Sequence, residues 1–386
     1  MTSEAELVEP PLRSLGAPVP LVDLSWQARQ VADEVQAGFA DVVAQSSFVL
    51  GPQVQEFETA FAAYSDVACC VGVANGTDAI ELALRACGVG MGDEVLLPAN
   101  SFVATAGAVV RMGAKPVLVD CDPEYLLMDV GQVPSRSGPR TRALLPVHLY
   151  GQQANMEALR ALADRLGLVL VEDAAQAQGS RHHGRGVGAL SDAAATSFYP
   201  GKNLGAYGDA GAVLTGSAAV AEHLGLLRNH GSARKYEHAV AGCNSRLDTL
   251  QAVVLLAKLR RLEHWNDLRR AAAARYSALL SGVPGIVLPQ TFEGNLHVWH
   301  LYVVRVPGRD RVLASLQEQG IAASVHYPVP IHMQPAFSWL GQGLGDFPVA
   351  EAVAGELLSL PLYPGITLAQ QERVASALAQ ALLQGS

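Results

Sequence analysis

Residues 142–173, RALLPVHLYGQQANMEALRALADRLGLVLVED, contain one strand–helix–strand unit, and this unit decides the fold class. Two short apolar runs, 142–148 and 168–173, flank a helical pattern over Met156–Leu166. Asn155 is a typical cap for the start of that helix, and Gly167 is a typical stop at its end. Short apolar strands separated by helices are typical of a mostly parallel sheet. The segment therefore predicts an α/β protein.

The same alternation continues on both sides of this unit. We predict strands at 94–98 and 115–120 before it, and at 194–198 and 212–215 after it. A helical pattern at 79–86 follows the polar sequence Asn-Gly-Thr-Asp. Together these elements predict a large α/β domain over residues 21–246, preceded by a loose Pro- and Glu-rich arm over residues 1–20.

After Gly242 the pattern changes. Residues 247–280 show a helical pattern that is too long for an ordinary globular helix, so we expect it to bend. Beyond it we predict a strand near 297–306, a helix near 309–319, a strand at 321–327 and two final helices. Residues 247–386 are therefore predicted to form a linking helix and a small α+β domain.

Composition and charge exclude several classes of protein. The 386 residues are 50% hydrophobic and 16% charged, which is enough apolar content for a large core. The 27 basic and 36 acidic residues give a net charge of −9, so nothing indicates a nucleic-acid footprint. No apolar run approaches the roughly 18 residues of a membrane span. Five cysteines without a secretory signal predict reduced thiols in a cytoplasmic protein.

Several polar or aromatic residues stand at positions that would meet at one edge of the sheet. Asp173 ends the strand at 168–173, and Gln176 follows three residues later. Gly76 and Thr77 open a helix, where free N–H groups favour an anion. Phe102 follows the strand at 94–98. Because ligands bind outside the carboxyl ends of the strands in open α/β sheets, we expect these residues to share a site.

A lysine follows the strand at 194–198. It lies in the stretch Ser197-Phe-Tyr-Pro-Gly-Lys202-Asn-Leu-Gly-Ala-Tyr-Gly-Asp-Ala-Gly211. A lysine in a loop is usually a solvated surface charge. Here a nearby serine hydroxyl and several glycines fit a lysine that forms a Schiff base with pyridoxal 5′-phosphate (PLP), because glycines let the backbone pass close to a flat ring. Lys202 is therefore our candidate nucleophile and proton shuttle.

The other candidates match the remaining needs of that cofactor. A carboxylate, Asp173, would pair with the pyridine nitrogen, so that the ring acts as an electron sink. Phe102 would stack on the ring, and Gln176 would lie near the ring oxygen. Gly76, Thr77 and Ser197 would together donate hydrogen bonds to the cofactor's phosphate. Each residue has an ordinary structural role as its alternative, such as a helix cap or a core side chain, and only the combination favours PLP.

Four motifs carry a resemblance to a known family. They are Asn75-Gly-Thr-Asp-Ala79, Val171-Glu-Asp-Ala-Ala-Gln176, Ser197-Phe-Tyr-Pro-Gly-Lys202 and Gly242-Cys-Asn-Ser-Arg-Leu-Asp248. With them, the chain resembles the DegT/DnrJ/EryC1/StrS sugar aminotransferases from about residue 20 to its end. The resemblance implies PLP fold type I, the fold of aspartate aminotransferase, and a homodimer with active sites at the interface. It also implies that Asn244 reaches the partner's cofactor phosphate and that Arg246 binds an anionic substrate group.

The resemblance also suggests the reaction. Family members that lack the lysine are dehydratases, so Lys202 favours an aminotransferase. The form of the lysine motif is most similar to the branch that aminates C-3 of dTDP-3-keto-6-deoxyhexoses with L-glutamate, for deoxyaminosugar and antibiotic biosynthesis. Ala210 departs from that branch, which usually has a second glycine there. His326 and Tyr327, with Tyr199 beside the lysine, are candidates for hydrogen bonds to the hexose.

Alternatives remain open at this point. The chain could aminate C-4 of a ketosugar or a keto-inositol, and in another class it could be a non-catalytic accessory protein that binds a nucleotide-sugar. The pair His182-His183 suggests a metal, but the sequence shows no third ligand at useful spacing, so we interpret the pair as a solvated loop and predict no metal. The Gly-rich stretches at 88–92 and 184–188 lack dinucleotide-binding spacing.

Overall fold

A computed structural model describes residues 17–384 of the chain. Most of the predicted N-terminal arm, residues 1–16, lies outside the described residues, as do residues 385–386. Within the described range, no helix is long and apolar enough to cross a membrane.

The strands and helices of residues 17–384 follow one another through the chain. The strands are β1 (Cys69–Val73), β2 (Glu94–Pro98), β3 (Lys115–Val119), β4 (Thr141–Leu144), β5 (Val169–Asp173), β6 (Arg181–His182), β7 (Arg185–Gly186), β8 (Ala193–Ser197), β9 (Gly211–Thr215), β10 (Ser232–Arg234), β11 (Glu237–His238), β12 (Asn295–Leu296), β13 (Tyr302–Arg305) and β14 (Leu357–Leu360). The α-helices are α1 (Leu24–Gln45), α2 (Pro52–Tyr64), α3 (Gly76–Ala86), α4 (Val103–Arg111), α5 (Val133–Arg136), α6 (Met156–Leu166), α7 (Ala218–Leu227), α8 (Thr249–Leu259), α9 (Leu262–Leu280), α10 (Arg309–Glu318), α11 (Pro348–Ala354) and α12 (Leu368–Leu383).

The central sheet has seven strands in the order β1-β9-β8-β5-β4-β2-β3. Strand β9 is antiparallel to both of its neighbours, and the other pairings in the sheet are parallel. The predicted α/β fold with a mostly parallel sheet is confirmed. The strands are buried on both faces, which explains why they read as short, continuous apolar runs.

The strand–helix–strand unit at 142–173 forms as its sequence predicts. The Asn155 side chain accepts a hydrogen bond from the Ala158 N–H (3.2 Å) at the start of α6. Gly167 ends the helix with a φ of 65°, a conformation that favours glycine. Leu159 and Leu162 of α6 pack in one core with Leu144 of β4. This packing brings the chain back to β5, which ends at the site residue Asp173.

The C-terminal part has a core of its own. Helices α9, α10 and α12 pack on the two-stranded sheet of β13 and β14, around side chains such as Tyr276, Tyr302 and Leu378. Val19 joins this core and pairs with Ile321. The predicted bend in the long helical segment is confirmed, because α8 ends at Leu259 and α9 begins at Leu262. The domain boundary near residue 246 stays a prediction.

The predicted strand at 321–327 is wrong. Only single bridges form there: Ile321 pairs with Val19, and Ser324 pairs with Ser359. Because the segment changes its pairing partner within three residues, no continuous ladder can form. The segment ends instead in a turn with a cis peptide bond between His326 and Tyr327. Both residues lie on the wall of the cavity described below.

Candidate active site

The carboxyl ends of β2, β5 and β8 meet the N-terminus of α3 at one edge of the sheet. They enclose a cavity of about 540 Å³. Ten of the residues predicted from the sequence line this cavity. They are Gly76, Thr77, Phe102, Asp173, Gln176, Ser197, Tyr199, Lys202, His326 and Tyr327.

Lys202 lies just beyond the end of β8. Its backbone N–H donates to the Tyr199 carbonyl (2.8 Å), so the lysine closes a tight turn after the strand. Gly205 is required nearby, since an added Cβ would lie 2.3 Å from the Pro200 carbonyl oxygen. Burial lowers the pKa of Lys202 to about 8, although the Asp173 carboxylate opposes the shift. At mildly alkaline pH, a substantial share of this amine is therefore neutral and nucleophilic.

Asp173 is the acid that faces this amine. Its side chain is only 5% exposed, and its two oxygens accept from the Thr105 hydroxyl (2.7 Å) and the Ala175 N–H (3.1 Å). Burial raises the pKa of Asp173, while these two hydrogen bonds and Lys202 lower it. Because neither donor is a cation, a protonated ring nitrogen from a ligand would favour the carboxylate form.

The start of α3 forms an anion cradle. The Asn75 side chain caps the helix by accepting from the Asp78 N–H (2.9 Å), which leaves the first N–H groups, of Gly76 and Thr77, directed out of the helix. An added Cβ on Gly76 would lie 2.5 Å from the Cβ of Ser197. Only glycine therefore lets the serine hydroxyl approach this helix end. Such a set of donors suits a phosphate.

An aromatic wall and an amide complete the cofactor side of the cavity. The rings of Phe102 and Tyr327 lie 5.2 Å apart, and Phe102 is 50% exposed, so one side of it is open to a ligand. Gln176 is held at both ends: its Oε1 accepts from the Tyr150 N–H (2.5 Å), and its Nε2 donates to the Tyr327 hydroxyl (3.1 Å). Gln176 therefore fixes Tyr327 as well as lining the cavity.

The predicted sugar contacts lie on the outer wall. The Nδ1 of His326 is 2.8 Å from the Ser359 hydroxyl oxygen, and the His326 carbonyl accepts from the Tyr150 hydroxyl (2.5 Å). Burial lowers the pKa of His326 to about 4, so its imidazole is neutral near pH 7. Tyr199 is 59% exposed and faces the mouth. These side chains offer neutral hydrogen-bonding groups, which suit hydroxyls.

Asn244 and Arg246 do not line this cavity. Asn244 is exposed and forms an isolated bridge with Asn229, whose side-chain oxygen accepts from Arg246 Nη1 (3.2 Å). The described residues therefore give neither side chain a role in this cavity. Their predicted roles across a dimer interface stay a proposal.

Several residues of the site were missed from the sequence. Thr105 holds Asp173 and is in turn 2.8 Å from the Ser101 hydroxyl. Ala175 and Asp209 also line the cavity. A signal existed for Thr105, because Ser101 and Thr105 lie one helical turn apart beside Phe102. Nothing in the spacing links Thr105 to Asp173, which is 68 positions away.

The interpretation of His182-His183 as a solvated loop is wrong for His182 and holds for His183, which is exposed in the turn after β6. His182 is buried (2% exposed) and belongs to strand β6. A third residue that could bind a metal, Glu157, lies close to the two histidines. One ligand atom from each of the three residues lies within 4.8 Å of the others. This group could not be predicted from the sequence, because Glu157 lies on helix α6, far from the histidines along the chain.

Comparison with known proteins agrees with the site. The sequence model of the DegT/DnrJ/EryC1/StrS aminotransferase family matches residues 29–379. The dTDP-3-amino-3,4,6-trideoxy-alpha-D-glucose transaminase of Streptomyces venezuelae is 48% identical, over 93% of this chain and 95% of its own length. The UDP-N-acetyl-3-dehydro-alpha-D-glucosamine 3-aminotransferase of Acidithiobacillus ferrooxidans is 43% identical, over 94% of this chain and 98% of its own.

A solved structure supports the fold assignment. The crystal structure of Streptomyces venezuelae DesV in complex with a ketimine intermediate superimposes with a TM-score of 0.93 at 47% identity, over 94% of this chain and 98% of DesV. Together with the mostly parallel sheet, this likeness confirms PLP fold type I. The chain belongs to the DegT/DnrJ/EryC1/StrS aminotransferase family.

Proposed function

We propose that the protein is a PLP-dependent aminotransferase that moves an amino group from L-glutamate to C-3 of a dTDP-3-keto-deoxyhexose, in deoxyaminosugar biosynthesis. The observation that carries the proposal is the meeting of Lys202, with its pKa of about 8, and buried Asp173 in one cavity. A neutral amine beside a buried carboxylate is what the transfer of a proton from an amino donor requires.

The residues present fit the cofactor. The Gly76 and Thr77 N–H groups and the Ser197 hydroxyl would hold its phosphate, because the helix end and the serine approach so closely that no Cβ fits between them. Asp173 would bind the pyridine nitrogen, and Lys202 would hold the cofactor covalently through its amine. PLP, when bound, delocalises the electron pair that remains when the donor loses its α-proton.

The chain's own residues carry out the proton chemistry. Lys202 Nζ would remove the α-proton of L-glutamate and later return a proton to the sugar carbon, because an amine with a pKa near the working pH serves as both base and acid. Thr105 donates to the Asp173 carboxylate and would keep it oriented for binding the ring nitrogen. The neutral wall of His326 and Tyr327 would position the ketosugar and limit water access.

The relatives support the position of amination. The two named above carry the 3 position in their names, one with a dTDP-sugar and the other with a UDP-sugar. The lysine motif resembles the dTDP branch, and the higher identity is to the dTDP enzyme. We therefore favour C-3 of a dTDP-sugar over C-4 of a ketosugar or a keto-inositol.

We also propose a homodimer in the cytoplasm, where the five free cysteines stay reduced. Asn244 would complete the phosphate site of the partner, and Arg246 would bind an anionic substrate group there. Mixing Lys202→Ala and Asn244→Ala subunits tests this sharing. One site of each mixed dimer would combine intact Lys202 with intact Asn244, so we expect activity that neither parent protein has. Mixtures with no more activity than the parents would place Asn244 in its own subunit's site.

The substrate proposal is tested by supplying L-glutamate with the 3-keto and 4-keto isomers of a dTDP-6-deoxyhexose. We expect the cofactor absorbance to bleach with L-glutamate and to recover only with the 3-keto isomer. Recovery only with the 4-keto isomer would favour a C-4 aminotransferase. A colourless protein that binds the nucleotide-sugar without turnover would favour the accessory-protein alternative.

A further inference from the structure

The group of Glu157, His182 and His183 lies outside the active-site cavity and brings together helix α6 and the β6–β7 hairpin. Glu157 lies in the first turn of α6, and His182 lies on β6, which pairs with β12. One ligand atom from each residue lies within 4.8 Å of the others. Two imidazoles and a carboxylate are a frequent ligand set of three-ligand zinc sites.

His182 is held in place by its surroundings. It is 2% exposed and stacks on the Phe292 ring at 5.8 Å between ring centres. On another side, the His183 ring contacts it edge-on, with 4.5 Å between centres. The imidazole is therefore positioned before any ion arrives, which reduces the entropy lost on binding.

A second residue determines which nitrogen of His182 is free. Asn295 Nδ2 donates to the Gln153 carbonyl (2.7 Å), which fixes its amide so that Oδ1 faces His182 Nδ1 (3.0 Å). An amide oxygen only accepts, so His182 Nδ1 carries the proton and Nε2 keeps its lone pair. This is the usual arrangement of a metal-binding histidine, whose other nitrogen donates to a neighbouring oxygen.

His183 is aimed by its backbone. Its φ of 46° is left-handed, which is uncommon for a residue other than glycine, and its N–H donates to the Gly294 carbonyl (2.8 Å). The ring lies over Gly294, where an added Cβ would be 2.4 Å from the ring carbon Cε1. This backbone places His183 beside His182, although neighbouring residues on a regular strand point to opposite faces.

We propose that Glu157, His182 and His183 bind one zinc ion, with water as a fourth ligand. With Zn–N and Zn–O bonds of about 2.0–2.2 Å, two ligand atoms of one ion lie no more than roughly 4 Å apart. The ligand atoms now lie within 4.8 Å of one another, so the exposed Glu157 and His183 side chains would have to rotate to reach that separation. The ion would link α6 to the β6–β7 hairpin and, through the hydrogen bond of His182 to Asn295, to β12.

The test uses tag-free holoenzyme, freed of metal with a chelator and titrated with Zn²⁺ in a calorimeter. We expect one equivalent to bind, and Glu157→Gln and His183→Asn to weaken binding by more than about tenfold each, since each removes a ligand. His264→Asn changes an exposed histidine elsewhere and should leave Zn²⁺ binding as in the wild type. Transaminase activity should persist in all three variants, because none of these side chains lines the cavity.

The second part of the test examines Asn295. Asn295→Ala should weaken Zn²⁺ binding by about 10–100-fold, because His182 Nδ1 then loses the oxygen to which it donates. With Co²⁺ as the probe, a visible absorption band of a four-coordinate ion should appear and should be lost in Glu157→Gln. Absence of stoichiometric Zn²⁺ binding, or binding that Glu157→Gln and His183→Asn leave unchanged, would overturn the proposal.

Discussion

The pKa of two lysines, Lys202 and Lys258, is lowered to about 8, yet the two side chains occupy different surroundings. Lys202 lies beside Asp173 on the wall of a cavity. Lys258, on α8, is 3% exposed, donates to the Gly205 carbonyl (2.6 Å) and lies 4.6 Å from the Tyr207 ring. A lowered pKa alone therefore does not identify a reactive amine. An open cavity and a facing carboxylate distinguish Lys202.

The largest expected effect comes from removing the amine of Lys202. Lys202→Ala should lower turnover by at least about 10⁴-fold, because general acid–base catalysis alone contributes up to about that factor and the covalent anchor is lost as well. Steady-state assays with L-glutamate measure it. Lys258→Met is the matched control, and it should keep most of the activity, since it leaves the cavity intact. Near-normal turnover of Lys202→Ala would contradict the assignment.

The next effect tests the carboxylate that distinguishes the two lysines. Asp173→Asn should lower kcat by about 10²–10³-fold, a typical loss for one electrostatic group at a reacting centre. The amide keeps the shape, its oxygen can accept from the Ala175 N–H and its NH2 group can donate to the Thr105 hydroxyl, so the melting temperature should stay close to that of the wild type. Unchanged kcat in a folded Asp173→Asn protein would remove Asp173 from its role.

Much of this site was predictable because it lies on regular elements. Asp173, Ser197 and Phe102 follow apolar strands, and parallel strands end at the same edge of a sheet. Lys202 stands out through its Gly-rich surroundings. The fold class followed from strand length and the caps of α6, since both depend on neighbours in sequence.

The rest depends on contacts between distant residues. The segment 321–327 lacks one pairing partner along its length, so the strand predicted there does not form. The link of Thr105 to Asp173 and that of Glu157 to His182 have no local signal, because they arise only when the fold brings these residues together. The exposure of Asn244 likewise could not be predicted from its neighbours in sequence, because it depends on how the chain folds.

A pH experiment sharpens the comparison of the two lysines. Because the pKa of Lys202 is lowered to about 8, its neutral fraction rises as the pH increases through 8 and levels off above it. The rate at which apo-protein captures PLP should follow this curve, as measured by stopped-flow absorbance. Lys258→Met should leave the midpoint unchanged. A midpoint near the ordinary lysine pKa of about 10.4 would show that burial does not activate Lys202.

Lys258 should affect how the free energy of unfolding depends on pH. Its pKa is lower in the folded protein than in the unfolded chain, so the unfolded chain binds more protons between about pH 8 and 10.4. This lysine's contribution to the free energy of unfolding therefore increases with pH across that window. Denaturant titrations should show that Lys258→Met lacks this contribution. An identical pH dependence in both proteins would place Lys258 in water.

The smallest effect concerns Thr105. Thr105→Val keeps the shape but removes the hydroxyl that donates to Asp173 Oδ2, so the pKa of Asp173 should increase further. We expect kcat to fall by several-fold, in line with a lost hydrogen bond to a charged group of about 1.5–3 kcal/mol that the bound ring nitrogen partly replaces. Thr105→Ser, which keeps the hydroxyl, should restore kcat. A loss in both variants would indicate packing as the cause.

One measurement identifies directly which of the two lysines, Lys202 or Lys258, is the reactive amine. Holoenzyme is reduced with borohydride, digested, and mapped by mass spectrometry for the lysine that retains the pyridoxyl group. We expect the pyridoxyl group on Lys202 alone. A pyridoxyl group on Lys258, or on no lysine, would contradict it.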